Sequence, residues 1–144
     1  MLHDVLTSAI IGAFFDVHHE LGHGFLESVY ERALVIALSR RGLQAEHQVA
    51  VQVHYDGQIV GDFYADLIVD RRVIVEIKAC RVLHQIHEAQ LLNYLRASSM
   101  EVGLLLHFAH KPVFRRLILT NDRKPASCLR GLPRPSVVKT SLPA

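Results

Sequence analysis

The chain has 144 residues, of which 50% are hydrophobic and 21% are charged. This composition is typical of one soluble globular domain and excludes an intrinsically disordered chain. The net charge of +2 permits a nucleic-acid partner but does not require one.

The cysteines and the N-terminal region indicate a reducing compartment and no membrane anchor. Cys80 and Cys128 are far apart and form no CxxC motif, so they predict neither a disulfide framework nor a structural zinc site. The apolar stretch at 9–15 lacks a basic flank and is bordered by Asp4 and Asp16. It is also much shorter than a membrane-spanning helix. We therefore expect a cytoplasmic protein.

The first part of the chain has helical periodicity. Apolar residues at intervals of three and four predict a helix over 5–21. Gly22 and Gly24 then interrupt the pattern. A second helix is predicted over 25–41, and Gly42 is a suitable residue to follow its end.

The pattern then changes to alternation, which is typical of strands. The segment 46–55 alternates polar and apolar residues. An Asp-Gly dipeptide at 56–57 predicts a hairpin turn, followed by a return strand over 59–69. A short turn at 70–72 leads to a third strand over 73–79. These three strands are expected to form an antiparallel meander.

The remainder of the chain completes a mixed α/β fold. Helical spacing returns over 84–98, and an apolar run at 103–108 is typical of a buried strand. An edge strand is predicted at 113–120. We therefore predict an α/β domain over residues 1–120 and, because the last residues lack an apolar period, a loosely ordered C-terminal tail over 121–144.

Side-chain alternation on the second and third strands predicts a polar patch. Successive residues of a strand point to opposite faces, so Glu76 and Lys78 share one face. The expected apolar face of the second strand comprises Phe63, Ala65, Leu67 and Val69. Asp66 lies on the opposite face, and the turn at 70–72 makes the two strands neighbours. Asp66, Glu76 and Lys78 can therefore lie together.

These three residue types suit phosphodiester cleavage. Two carboxylates that are held close together repel each other unless a proton or a cation lies between them. Their oxygen atoms suit Mg²⁺ or Mn²⁺, which can polarise a phosphoryl oxygen and activate water. A neighbouring lysine can balance charge on the phosphate. The same pattern is also typical of solvent-facing charges on an open strand, so the pattern alone leaves both interpretations open.

Two motifs resemble those of a known family. Residues 24–30, GFLESVY, match GxxExxY, and Asp66 followed by EIK at 76–78 matches the D…(D/E)xK signature. Over residues 5–120 the chain resembles the small bacterial GxxExxY family within the PD-(D/E)XK nuclease superfamily.

The resemblance implies both a fold and a site. The fold has a helix before a three-stranded antiparallel meander, with a second helix and a further strand after it. The implied ligands of Mg²⁺ or Mn²⁺ are Glu27, Asp66 and Glu76, and the implied catalytic lysine is Lys78. Ala65 stands where the superfamily has the proline of its name.

The resemblance also implies accessory residues and a partner. Gln90 takes the place of a catalytic polar residue often found near the site, and Tyr94 lies one turn further on the same helix face. Tyr30 completes the GxxExxY motif. Independently of the resemblance, the positions of His84 and His87 near the start of that helix predict capping or surface roles, with contact to nucleic-acid phosphates as the alternative. The implied partner is DNA or RNA, and a homodimer is left open.

Two other functions fit the sequence. The same fold without turnover would serve as a nucleic-acid- or protein-binding module. Residues 19–23 match the HExxH pattern of zinc peptidases, in which His19 and His23 share a helix face. Gly22 and Gly24 predict that the helix ends there, which would remove His23 from that face.

Overall fold

A computed structural model describes residues 2–125 as a five-stranded mixed sheet between two layers of helices. The strands lie in the order β1-β2-β3-β4-β5. The elements are α1 (Asp4–Leu21), α2 (Glu27–Arg40), β1 (Ala45–Tyr55), β2 (Gln58–Val69), β3 (Val73–Lys78), α3 (Gln85–Arg96), β4 (Val102–Phe108) and β5 (Pro112–Ile118). The predicted α/β class and the order of its elements are confirmed.

The connections between strands follow the local sequence signals. The Asp-Gly turn joins β1 and β2 as an antiparallel hairpin, and β3 continues the meander. Helix α3 then crosses over the sheet, so that β4 runs parallel to β3. All seven residues of β4 are buried, because helices cover both of its faces. β5 is the predicted edge strand, antiparallel to β4.

Helices α1 and α2 cover one face of the sheet. Phe14 of α1 packs edge-on against Phe108 of β4, with ring centroids 4.8 Å apart. Tyr30 of α2 stacks on the same Phe108 ring at 4.1 Å. These aromatic contacts join both helices to the central strand.

Within residues 2–125, every helix is too short or too polar to cross a membrane.

Helix α3 covers the other face. Leu91 and Leu95 are fully buried against Ile74 of β3 and Leu105 of β4. Gly103 of β4 permits this close approach, since a Cβ at that position would lie 2.9 Å from the Leu91 side chain. The sheet is therefore covered by an apolar layer on each face.

The face alternation of β2 breaks at Asp66. Leu67 packs in the cluster with α1 and α2, whereas Ala65, two residues earlier, packs in the cluster with α3. The Phe63 ring stacks on Tyr94 of α3, so Phe63 also lies on the α3 side. The predicted apolar face that combines Phe63 and Ala65 with Leu67 and Val69 is therefore wrong.

The break has a backbone cause. Pairing of β2 with β3 ends at Leu67 and Val75, so the earlier residues of β2 pair with β1 alone. On β1, Gln48 lies between the residues that pair with Leu67 and Ala65, and its φ is 53°. A left-handed residue interrupts the regular pleat of the strand. Side chains before and after this point of the hairpin therefore face opposite sides of the sheet from those that alternation predicts.

The first residues of the predicted tail pack against the domain. The side chain of Asn121 donates to the carbonyl of Ser99 at 3.1 Å. Lys124 is buried, and its Nζ donates to the carbonyls of Ser98 and Met100 at 2.9 and 2.5 Å. The rest of the predicted tail, residues 126–144, lies outside the described residues.

Candidate active site at the separation of β2 and β3

Asp66 and Glu76 face each other where β2 separates from β3. The N–H of Asp66 donates to Oε1 of Glu76 at 3.3 Å. The N–H of Ile77 donates to Oδ2 of Asp66 at 2.8 Å. Each carboxylate thus accepts a backbone N–H of the opposite strand just beyond the last paired residues. The two acidic side chains are therefore held by the sheet itself.

Burial gives this carboxylate pair unusual acidities. Burial, together with the charge of Asp66, raises the pKa of Glu76 to about 9. Burial also raises the pKa of Asp66. The two carboxyl groups are close enough to share a hydrogen bond through a proton. At neutral pH the pair must hold either that proton or a cation.

Lys78 lies beside the pair, as the sequence predicts. It follows Glu76 by two residues on β3 and is half-buried. Its positive charge lowers the pKa of both carboxyl groups, although burial has the larger, opposite effect on each. The structure therefore brings together Asp66, Glu76 and Lys78.

Glu27 approaches the same place from α2. It is the first residue of that helix, and its Oε2 accepts a hydrogen bond from the N–H of Ala79, just after β3, at 3.2 Å. Its charge adds to the effect of burial in raising the pKa of Asp66. Glu27 is exposed, so one face of the cluster is open to solvent.

Tyr30 holds the loop that precedes Glu27. Its hydroxyl donates to the carbonyl of Gly22 at 2.8 Å and accepts from the N–H of Phe25 at 3.3 Å. Gly24 has a φ of 106°, which favours glycine in this loop. These hydrogen bonds fix the loop before α2. Tyr30 is fully buried, so its side chain does not line the site.

Glu31 belongs to the same cluster, and sequence reasoning missed it. It follows Glu27 by one helical turn, a spacing that places both on one face of α2. Its carboxylate contacts the His47 ring at 3.2 Å and Nε2 of Gln48 at 3.3 Å. Burial, together with the charge of Asp66, raises the pKa of Glu31. The spacing of the two glutamates was the available signal.

The accessory residues on α3 differ in their placement. Tyr94 is half-buried and stacks on Phe63, with ring centroids 3.7 Å apart. Burial raises the pKa of the Tyr94 hydroxyl, and the charges of Glu76 and Asp66 raise it further. The charges of the carboxylate pair therefore reach the Tyr94 hydroxyl. Gln90 is exposed one turn earlier on α3, and its catalytic role stays a prediction.

The N-terminal end of α3 lies close to Lys78. The N–H of His84 donates to Nδ1 of His87 at 3.3 Å, which confirms a capping role for His87. Burial lowers the pKa of His87, and the charge of Lys78 lowers it further. The ring of His87 therefore adds a neutral polar group beside the cluster at neutral pH.

The HExxH segment does not form the helical arrangement of a zinc peptidase. Helix α1 ends at Leu21, and Gly22 has a φ of 69°, so His23 lies outside the helix that carries His19. His23 packs against the ring of His110 at 5.1 Å. Among residues 2–125, no group of three or more His, Cys, Asp or Glu side chains is arranged to hold a metal ion, so the predicted set of Glu27, Asp66 and Glu76 does not form a ready three-ligand site.

Comparison with known proteins identifies the family. The sequence model of the PD-(D/E)XK nuclease superfamily matches residues 4–117, which is most of the chain. The chain belongs to this superfamily. Its nuclease-like sheet and helices are those expected of a PD-(D/E)XK protein.

A solved structure has a similar fold. The chain is similar to the crystal structure of SSO0001, with a TM-score of 0.52 and 20% sequence identity. The similarity covers 67% of this chain and 52% of SSO0001, so the chain spans about half the length of that protein. At this identity the similarity concerns the fold alone. No curated protein sequence matches the chain.

Proposed function

We propose that this protein is a metal-dependent nuclease that hydrolyses phosphodiester bonds in DNA or RNA, with Mg²⁺ or Mn²⁺ as its cofactor. The observation that carries the proposal is the pair formed by half-buried Asp66 and buried Glu76 beside Lys78, at a place where solvent can enter. Lys78 supplies one positive charge for two carboxylates, so a cation bound between Asp66 and Glu76 would stabilise their charged forms.

The donor set fits Mg²⁺. This ion commonly binds through one or two carboxylates and completes its shell with water and substrate phosphate. Asp66 and Glu76 supply two such carboxylates, and Glu27 lies on the open side, where it can act directly or through water. A bound Mg²⁺ supplies polarisation of a phosphoryl oxygen and increased acidity of water.

The side chains of the protein supply orientation and charge. Lys78 can hold the attacking water by hydrogen bonding or stabilise negative charge on a phosphate oxygen. Asp66 and Glu76 keep their positions because backbone N–H groups bind them. Gln90, exposed on α3, is proposed to contact the substrate from that side.

Membership of the GxxExxY family within the superfamily is part of the proposal. The support is the division of roles inside the motif: Gly24 takes a left-handed conformation, and Tyr30 anchors the loop through Gly22 and Phe25. Glu27 is then presented at the start of α2. A motif with this local structure would position one carboxylate at the site.

Cleavage assays on purified protein test the proposal. Single-stranded and duplex DNA and RNA are incubated with Mg²⁺, Mn²⁺ or EDTA. We expect metal-dependent cleavage that falls at least about 100-fold in Asp66→Ala and Lys78→Ala. Arg72→Ala is the matched control, since Arg72 is an exposed cation just before β3, at the opposite end from Lys78. This variant should cleave like the wild type.

The same assays distinguish the alternative function. Cleavage that survives equally in Asp66→Ala and Lys78→Ala would reject this site. Oligonucleotide binding by wild-type protein without any cleavage would instead identify a non-catalytic binding module on the same fold.

A further inference from the structure

A groove lies next to the carboxylate pair, between the outer half of the β1–β2 hairpin and α3. Its volume is about 520 Å³, and residues from both elements line it. The size falls within the range of small-molecule sites. The groove is distinct from the site, which is formed by the inner half of the hairpin, β3 and α2.

The walls of the groove are mainly apolar and flat. The stacked rings of Phe63 and Tyr94 form one wall, with an angle of 9° between their planes. Val60, 63% exposed on the hairpin, also lines the groove. The polar lining residues are His54, Asp62, Asn93 and Arg96, of which Arg96 donates to Asn93 at 2.9 Å. A flat aromatic group with polar edges is complementary to these walls.

The groove lies near the carboxylate pair along both β2 and α3. Tyr94 lines the groove and is close enough to Asp66 and Glu76 for their charges to act on its hydroxyl. Phe63 precedes Asp66 by three residues on β2, a distance of about 10 Å along an extended strand. A nucleotide in the groove would therefore belong to the strand whose phosphate reaches the carboxylates.

We propose that this groove binds one unpaired nucleobase of the substrate strand and that the protein consequently prefers single-stranded or frayed nucleic acid to a blunt duplex. The inference rests on the proposed function for the position of the scissile phosphate. The groove has room for an unpaired nucleotide, whereas a base in a duplex is covered on both faces by its neighbours. Arg96 supplies a cation for the adjacent backbone phosphate.

Val60 and Ile59 offer a matched pair of variants. Both are apolar and exposed, at 63% and 57%, and they are adjacent on the same hairpin. Only Val60 lines the groove. Val60→Asp therefore adds a negative charge inside the groove, and Ile59→Asp adds the same charge to the same hairpin outside it. Neither side chain belongs to the buried core, so both variants should fold.

Fluorescence anisotropy with labelled oligonucleotides tests the inference. Binding is measured in a Lys78→Ala background with Mg²⁺, and the probes are single-stranded DNA, single-stranded RNA and blunt duplex DNA of equal length. Gels run afterwards verify that the probes are intact. We expect Val60→Asp to weaken single-strand binding about tenfold, as for loss of one stacked base, and Ile59→Asp to leave it within about twofold. The two single-stranded probes show whether DNA or RNA supplies the base.

The outcomes separate this inference from the proposed function. Equal affinities for single strand and duplex, or equal losses in both hairpin variants, would overturn the groove assignment even if wild-type protein cleaves nucleic acid. Selective loss in Val60→Asp supports the groove even if no protein cleaves. A homodimer that Val60→Asp dissociates and Ile59→Asp preserves would also overturn it, because the groove would then be an interface between two copies.

Discussion

The N–H of Ile77 donates to a carboxylate oxygen of Asp66 at 2.8 Å, just beyond the last paired residues of β2 and β3. The carboxylate takes the place that a strand carbonyl would have in a continuing ladder. Asp66 is therefore a structural acceptor as well as the proposed metal ligand. Substitutions at this position change both properties unless the replacement keeps an oxygen acceptor.

Asparagine and alanine at position 66 should have different effects on stability. Asp66→Asn keeps an amide oxygen for the Ile77 N–H and removes the charge beside Glu76. Asp66→Ala leaves the N–H without that acceptor, which costs about 1–3 kcal/mol. We expect urea unfolding to give Asp66→Ala a lower free energy of unfolding than Asp66→Asn. Equal values would contradict the structural role, while both variants should lose metal-dependent cleavage.

The stability of the metal-free protein should fall as the pH rises. The folded protein holds the Glu76 proton more tightly than the unfolded chain, because burial raises the pKa from 4.5 to about 9. The stabilisation is complete below about pH 4.5 and is lost as the pH rises through about 9. Glu76→Gln cannot lose a proton, so its thermal unfolding should depend less on pH. An unchanged slope in Glu76→Gln would show that other groups cause the pH dependence.

Addition of Mg²⁺ should reverse this pH effect. A cation between Asp66 and Glu76 favours their charged forms, so metal and proton compete for the pair. Thermal shift assays should show a Mg²⁺-induced rise in Tm that grows from about pH 6 to about pH 9. At a free Mg²⁺ concentration of about 100 times the Kd, binding should increase the free energy of unfolding by about 2.7 kcal/mol. The rise should disappear in Asp66→Ala and persist in Arg72→Ala.

Removal of the Tyr30 hydroxyl should affect folding more than chemistry. Tyr30→Phe keeps the stack on Phe108 and loses the hydrogen bonds to Gly22 and Phe25. We expect a loss of about 1–2 kcal/mol in the free energy of unfolding, measured with urea. At a temperature where the variant is folded, cleavage should fall less than in Glu27→Gln. A larger catalytic loss in Tyr30→Phe would place its hydroxyl in the reaction.

Short-range rules predicted the sheet and the convergence at its centre. The change from helical spacing to alternation marks the start of β1, and the turns at 56–57 and 70–72 pair the strands in sequence order. Once β2 and β3 are neighbours, alternation alone brings Glu76 and Lys78 onto one face. The proximity of Asp66 follows because it lies near the end of that paired region.

The errors arose where a long-range contact changes a local pattern. The left-handed backbone of Gln48 and the end of the β2–β3 ladder turn Ala65 toward α3, and no residue type in β2 announces this. The burial of Tyr30 depends on Phe108, far along the chain. Glu31 was identifiable by its helical spacing from Glu27, but only the fold brings Asp66 close to it.

The change of face at Gln48 and Asp66 divides the hairpin into two parts that differ in their tolerance to substitution. Inside this point, Leu67 and Val69 belong to the main hydrophobic core, so substitutions there are tolerated poorly. Outside it, exposed positions such as Ile59 and Val60 can diversify at little cost to folding. A library randomised over the hairpin tip would therefore yield folded variants in high proportion, which makes this segment a suitable target for directed evolution of substrate preference.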